Sequence, residues 1–159
     1  MAGSKGHRKH ARVREARPPR YAPTPDPGVL NGVLLDTDVV VQCLRGDPGI
    51  KGLAADLEAS GTPTFCTAVT WAEIFSGLRP GEEAITEAFL EARGEVILDA
   101  EAGRQAGRYL SRYARSHGLE VPDALIAAAA ATAGLRLWTL NRRDYPMKDL
   151  RFLEATARP

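Results

Sequence analysis

Four acidic residues stand where a folded chain could collect them: Asp36 in VLLDTDVV, Glu73 in TAVTWAEIFSGL, Asp123 in VPDALIAAAA and Asp144 in TLNRRDY. Each lies at an element boundary or a helix start, and three of the four border apolar runs that must be core. Carboxylates gathered at one edge repel one another unless a hard cation or a proton stands among them. A divalent cation held there could activate water against a phosphodiester. Metal-assisted hydrolysis is therefore the chemistry these residues suggest.

The elements that must position them alternate in type. The run 32–35 is short and apolar and fits a buried strand, with Asp36 directly after it. Thr37 or Asp38 can cap a helix to about residue 44, stopped by Gly46-Asp47-Pro48. Residues 50–59 form a second amphipathic helix, and 64–67 a second strand. Helices follow at about 69–78 and 82–92, then a strand at 95–98. A strongly amphipathic helix spans 100–117 and stops at Gly118. Pro122-Asp123 opens an Ala-rich helix closed by Gly134; 135–140 is a fourth strand and 152–153 a short fifth. This alternation predicts a three-layer α/β/α sandwich around a mainly parallel sheet. Ligands in such folds bind beyond the carboxyl ends of the strands. All four acids can face that edge, which turns them into one candidate site.

Each acid also has a plainer role open to it. Asp36 and Asp123 could be helix N-caps. Thr70 and Glu73 have the spacing of a capping box. Asp144 could be a turn acid. What singles them out is their joint occurrence in this order.

Composition bounds the rest. A chain of 159 residues suffices for one core, and 44% apolar with 26% charged residues is ordinary for a globular protein. The net charge of +1 conceals an asymmetry: residues 1–20 hold seven Lys/Arg and one Glu, so the remainder is acidic. Five of the eleven prolines fall between Pro18 and Pro27. Residues 1–28 therefore read as a basic, Pro-rich flexible arm, and 29–159 as the folded body. Cys43 and Cys66 lie in apolar runs without a CxxC pattern, which fits buried thiols in a reducing cytoplasm. No apolar segment follows the basic N-terminus as a leader peptide would require, and 124–135 is too short to span a bilayer.

The frames LLDTDVVVQCLRG, TAVTWAEIFSGL, VPDALIAAAAATAGLRLWTLNRRDY and LRFL resemble those of the PIN-domain family, and within it the VapC toxins of type II toxin–antitoxin pairs. They cover most of residues 32–153. The resemblance implies a five-stranded parallel sheet and a ribonuclease using Mg²⁺ or Mn²⁺. It also implies a cognate antitoxin and a homodimer. By the same resemblance Asp36, Glu73, Asp123 and Asp144 form the catalytic quartet, and Thr139 and Asn141 are supporting polar positions. Metal chemistry makes Asp36 and Asp123 the expected direct ligands, because Mg²⁺ takes one or two carboxylates and keeps waters. Asp38 departs from the family, which commonly has Ser or Thr there; it is either a further acid near the metal or a helix cap. The basic arm has no counterpart in the family pattern.

Bare acids repel RNA, so cations must stand at the rim. Arg142 and Arg143 flank Asp144, and Arg45 and Arg79 end the helices after the first two strands. Arg104, Arg108, Arg112 and Arg115 fall within about 80° on one helix face; a solvated face, an RNA backbone or an acidic partner all fit that stripe. Two rivals need stating. Asp36-Thr37-Asp38 also resembles the first motif of haloacid-dehalogenase-like phosphatases, but the lysine and later paired acids of that site are missing. A non-catalytic RNA- or protein-binding module on the same fold would not need four acids.

Overall fold

A computed structural model describes residues 31–154. The basic arm expected at 1–28, and with it the boundary of the folded body, lies outside the described residues.

The central strand β1 (Val33–Leu35) is buried at every position. Its side chains alternate between two cores, as a pleated strand requires. Leu34 enters a cluster with Leu137, Ala127 and Ala106, while Val33 and Leu35 enter one with Val40, Ile74 and Trp138. Strands β2 (Thr64–Thr67), β3 (Gly94–Val96), β4 (Arg136–Trp138) and β5 (Arg151–Phe152) complete a sheet of order β3-β2-β1-β4-β5. Every pairing is parallel. Helices cover both faces, as burial of a parallel sheet demands. They are α1 (Thr37–Arg45), α2 (Pro48–Ala59), α3 (Ala68–Ser76), α4 (Glu83–Glu91), α5 (Ala100–His117) and α6 (Val121–Thr132). The expected five-stranded three-layer architecture is what forms.

The connection after β1 runs outward through β2 and β3, then returns to β4 on the other side of β1. The strand order thus reverses at the β1/β4 seam, where α/β sheets open a crevice at their carboxyl edge. At that seam the Asp36 N–H donates to the Trp138 carbonyl at 2.9 Å.

Composition explains the closest packing. Ala127, Ala128, Ala129 and Ala130 of α6 are fully buried, and Ala102 and Ala106 of α5 are nearly so. Small side chains on both helices let α5 lie against α6. Three strands end earlier than expected, the fifth by a single residue, at Phe152 rather than at 153. The run 135–140 is strand only to Trp138, because the Leu140 N–H turns to Asp38 Oδ2 at 2.9 Å instead of a neighbouring strand. The run 95–98 is strand at Gly94–Val96, with Gly94 paired to Phe65. A Cβ at Gly94 would press into the Phe65 ring, so only glycine fits that register. The helices otherwise lie within two residues of their expected limits, the ordinary uncertainty of helix ends.

Candidate active site

Asp36 ends β1 and is itself the N-cap of α1; its Oδ1 accepts the Thr37 N–H at 2.7 Å. The expectation that Thr37 or Asp38 would cap this helix is thereby corrected: the residue preceding them has the extended φ/ψ a cap needs. Asp36 Oδ2 accepts the Tyr145 hydroxyl at 2.8 Å. Both oxygens of a carboxyl that is only 7% exposed are therefore held in orientation.

Glu73 does not close a capping box. The cap of α3 is Thr67, whose hydroxyl accepts the Thr70 N–H. Glu73, further along that helix, is free to accept the Thr37 hydroxyl at 2.5 Å, which links α3 to the start of α1. Asp123 is likewise not a cap. Glu120 holds that position, and Asp123 lies in the first turn of α6. Asp144 sits in a short 3-10 turn (Arg142–Asp144), where the Asn141 side-chain amide donates to it.

The four acids come from the end of β1, from the 3-10 turn that follows β4 and from two helices, and one carboxyl registers the other three. The Asp123 carboxyl is pushed up to about 6, first by burial and then by the charges of Asp36, Asp144 and Glu73, with Glu120 adding less. Among the described residues no ion pair with Lys or Arg involves any of the four. The cluster is a set of like charges without an internal counterion.

The supporting residues form a chain. Thr139 donates through its hydroxyl to Asp38 Oδ2 at 3.3 Å and accepts the Asn141 N–H at 3.0 Å; Asn141 then reaches Asp144. Asp38 thus ties the first turn of α1 to the segment after β4. Its carboxyl is also raised to about 6, by burial first and by Asp36 second. Its Oδ1 is buried and accepts no hydrogen bond. Of the two roles open to Asp38, the structure removes the cap and leaves the extra negative charge beside Asp36.

Two contributors escaped the sequence reading. Thr37 and Tyr145 touch acids, but their only sequence signal is adjacency to Asp36 and Asp144. Burial and the neighbouring Asp36 charge raise the Tyr145 hydroxyl far above an ordinary tyrosine, so it remains a proton donor to Asp36.

The rim arginines separate into two kinds. Arg45 and Arg79 line a groove of about 410 Å³ that also contains Glu73, Leu44, Ile74 and Ile85. Arg142 is engaged by its neighbours: it pairs with Glu154 at 3.2 Å, and its guanidinium lies 4.3 Å from the Phe152 ring centroid. Arg143 is exposed.

Oxygen-only donors, a buried carboxylate oxygen without a partner and uncompensated like charges suit a hard divalent cation. Among the described residues, however, no three His, Cys, Asp or Glu side chains form a ready-made metal cage. The donor chemistry fits, while the side chains stand further apart than a closed cage requires.

A parallel sheet in this order with acids at the β1/β4 seam defines a class, and the chain belongs to the PIN-domain family, whose model matches residues 33–153. Among its relatives, Ribonuclease VapC19 of Mycobacterium tuberculosis is 36% identical over 115 residues, spanning 72% of this chain and 92% of its own length. Ribonuclease VapC10 of the same species is 32% identical over 116 residues, 72% of this chain and 86% of its own. The fold superposes on the DNA-bound VapBC of Salmonella typhimurium with a TM-score of 0.68 at 20% identity, covering 78% of this chain and 98% of that one. FitAcB of Neisseria gonorrhoeae gives 0.61 at 24% identity, covering 77% and 97%. At such identities the structural likeness establishes the fold.

Proposed function

We propose that the protein is the toxin of a type II toxin–antitoxin pair, an endoribonuclease that hydrolyses RNA phosphodiester bonds with a carboxylate-held metal. The observation that carries this is the Asp123 carboxyl lying in the combined field of Asp36, Glu73 and Asp144 with no cation paired to any of them. Such an arrangement destabilises the metal-free state and rewards a bound cation. The VapC ribonuclease relatives support the choice of RNA.

Asp36 and Asp123 would hold Mg²⁺ or Mn²⁺. That ion supplies a more acidic water and neutralises charge developing on the phosphate. The chain supplies orientation. Tyr145 and the Thr37 N–H fix both oxygens of Asp36, and the Thr37 hydroxyl positions Glu73. Asn141 positions Asp144, itself anchored through Thr139 and Asp38. Glu73 and Asp144 act at one remove, as acceptors for a proton of the attacking water. Arg45 and Arg79, lining the groove with Glu73, offset the repulsion between the acids and an arriving phosphate. Purified protein is expected to cut RNA only with Mg²⁺ or Mn²⁺; undiminished cutting in EDTA, with contaminating nuclease excluded, sinks this mechanism.

The groove beside Glu73 suits the antitoxin. Val41, Leu44, Ile74, Leu78 and Ile85 give it an apolar wall, and Ile85 is 69% exposed. An amphipathic antitoxin segment laid there would bring an Arg or Lys among the acids and compete with metal. The expected result is a co-purifying small protein whose inhibition weakens as Mg²⁺ rises. The toxin itself is proposed to be a homodimer, checked by light scattering. It is proposed to work in the cytoplasm, in keeping with two free buried thiols. Among the described residues no helix is long and apolar enough to cross a membrane.

The alternative is a non-catalytic RNA- or protein-binding module on the same fold. That reading expects RNA to be bound and left intact at every metal concentration.

A further inference from the structure

A second groove, larger than the one beside Glu73, is lined by none of the four clustered acids. It has a volume of about 970 Å³ and runs along α5 beneath the segment that precedes β5. Arg104, Arg108 and Arg112 line it, and Lys148 joins them from that other segment. None of the quartet does. The spacing of four residues places the three arginines in one stripe, about 12 Å long at 1.5 Å per residue.

These cations outnumber the groove's single acid, Asp149, and among the described residues none is ion-paired with it. Among the described residues no ion pair includes any of the four. The one carboxylate in the groove, Asp149, is taken by neutral donors: the Tyr109 hydroxyl at 2.6 Å and the Gln105 amide at 3.4 Å. Arg108 donates to Gln105 Oε1 at 2.9 Å, and the Arg112 guanidinium stands 6.0 Å from the Tyr113 ring centroid. A merely solvated helix face would be convex and confined to one helix. This one is concave and recruits a lysine from another element.

We propose that this groove grips the sugar–phosphate backbone of a bound RNA, as a second contact outside the carboxylate cluster; the assignment rests on the ribonuclease reading for the identity of the polyanion. Unpaired cations at regular spacing can each take a phosphate. An acidic protein partner fits less well. Protein interfaces need an apolar centre, and the large exposed hydrophobics, Phe75, Ile85, Val121 and Leu140, all lie outside this groove. The consequence is a preference for RNA long enough to occupy both places at once.

The test compares the full-length protein with the Arg104→Gln/Arg108→Gln/Arg112→Gln variant in EDTA, so that binding is read without cutting. Affinity for a single-stranded RNA longer than the groove is measured across a salt series. The expected loss is about tenfold near 0.1 M salt, with a salt slope shallower by about 2 if three phosphate contacts go. The triple Arg→Lys variant should retain most of the slope, because the charge is kept. With metal added, the Gln variant should show a raised KM on long RNA and an unchanged kcat. Unchanged affinity and slope overturn the proposal, whether or not RNA is cut. Unchanged RNA affinity with lost binding of polyglutamate overturns it in favour of an acidic protein. Arginine-dependent binding by a wild-type protein that never cuts RNA supports the groove and removes the ribonuclease reading alone.

Discussion

The carboxyl edge of the sheet and the groove along α5 treat charge in opposite ways. At the edge, Asp123 is half-buried among acids of its own sign and holds its proton up to a pH of about 6. Along α5, cations of one sign line a groove where they stay exposed, so water weakens their mutual repulsion and salt weakens it further. The first region stores repulsion that a bound ion releases, and is sensitive to single atoms. The second stores little, and its effect is a sum over several weak contacts. Chemistry therefore belongs to the edge, and retention of a long polyanion to the groove.

The sharpest way to break this contrast is to remove charge at the edge. Asp36→Asn and Asp123→Asn should each lower RNA cleavage about a hundredfold or more. Neither should lower the melting temperature of the metal-free protein much, since one like charge is gone from a repelling set. Variants that melt early yet still cut would return these acids to capping and packing.

A smaller effect is expected one bond further out. Tyr145→Phe removes the donor to Asp36 Oδ2 and leaves the ring in place. Loss of a partner that orients a ligand typically costs tenfold or more in metal affinity. Half-maximal cleavage should then need about tenfold more Mg²⁺, with kcat largely recovered at saturation. An unchanged metal requirement would show that Asp36 needs no orientation from Tyr145.

The pH dependence of stability tests whether charging Asp123 costs the folded state, through burial first and repulsion by its neighbours second. The folded pKa of Asp123 is raised, to about 6 from 3.8. A raised carboxyl favours the folded state at low pH, and that contribution is lost as pH climbs from about 4 through 6. In EDTA, Asp123→Asn should therefore be more stable than wild type at pH 7 and equal to it below pH 4. After allowing for solvent screening of a half-buried group, the gap should be about 1 kcal/mol. Saturating Mg²⁺ should reverse the order, because only the wild type retains the ligand. A pH-independent gap would contradict the charge-cluster account.

The least effect on chemistry is expected from residues 1–28. Their deletion should leave turnover and cut-site choice unchanged while weakening RNA affinity and flattening its salt dependence. An altered cut site would give that segment a role in recognition.

The legible part of the site consists of residues whose local frame is distinctive. Asp36 follows a three-residue apolar run, and Asp123 opens an Ala-rich helix, so period and flanks identify both elements. Burial at the β1/β4 seam then follows from strand order. The contacts among these residues were not legible. Thr37 meets Glu73 across 36 residues, and Tyr145 meets Asp36 across 109. Such pairings depend on how helices pack, which no local pattern encodes. The capping alternatives for Glu73 and Asp123 had the same local support as the catalytic ones. They fell only because Thr67 and Glu120 occupy the cap positions. Arg142 adds a contact that no local pattern shows: beside Asp144 in sequence, it pairs with Glu154 and lies over the Phe152 ring.

The strand β5 is only two residues long, at the sheet edge, yet Asp144 and Tyr145 lie on the connection it fastens. Its hold on the sheet includes the Leu153 N–H donating to the Leu137 carbonyl at 2.9 Å. Edge elements this short open at low free energy. Opening frees Tyr145 from Asp36 and withdraws the Asp144 charge from Asp123 at one stroke, so competence to hold metal and closure of this edge are proposed to be one equilibrium. Metal binding must then slow deuterium uptake at the Leu153 amide, far along the chain from Asp36.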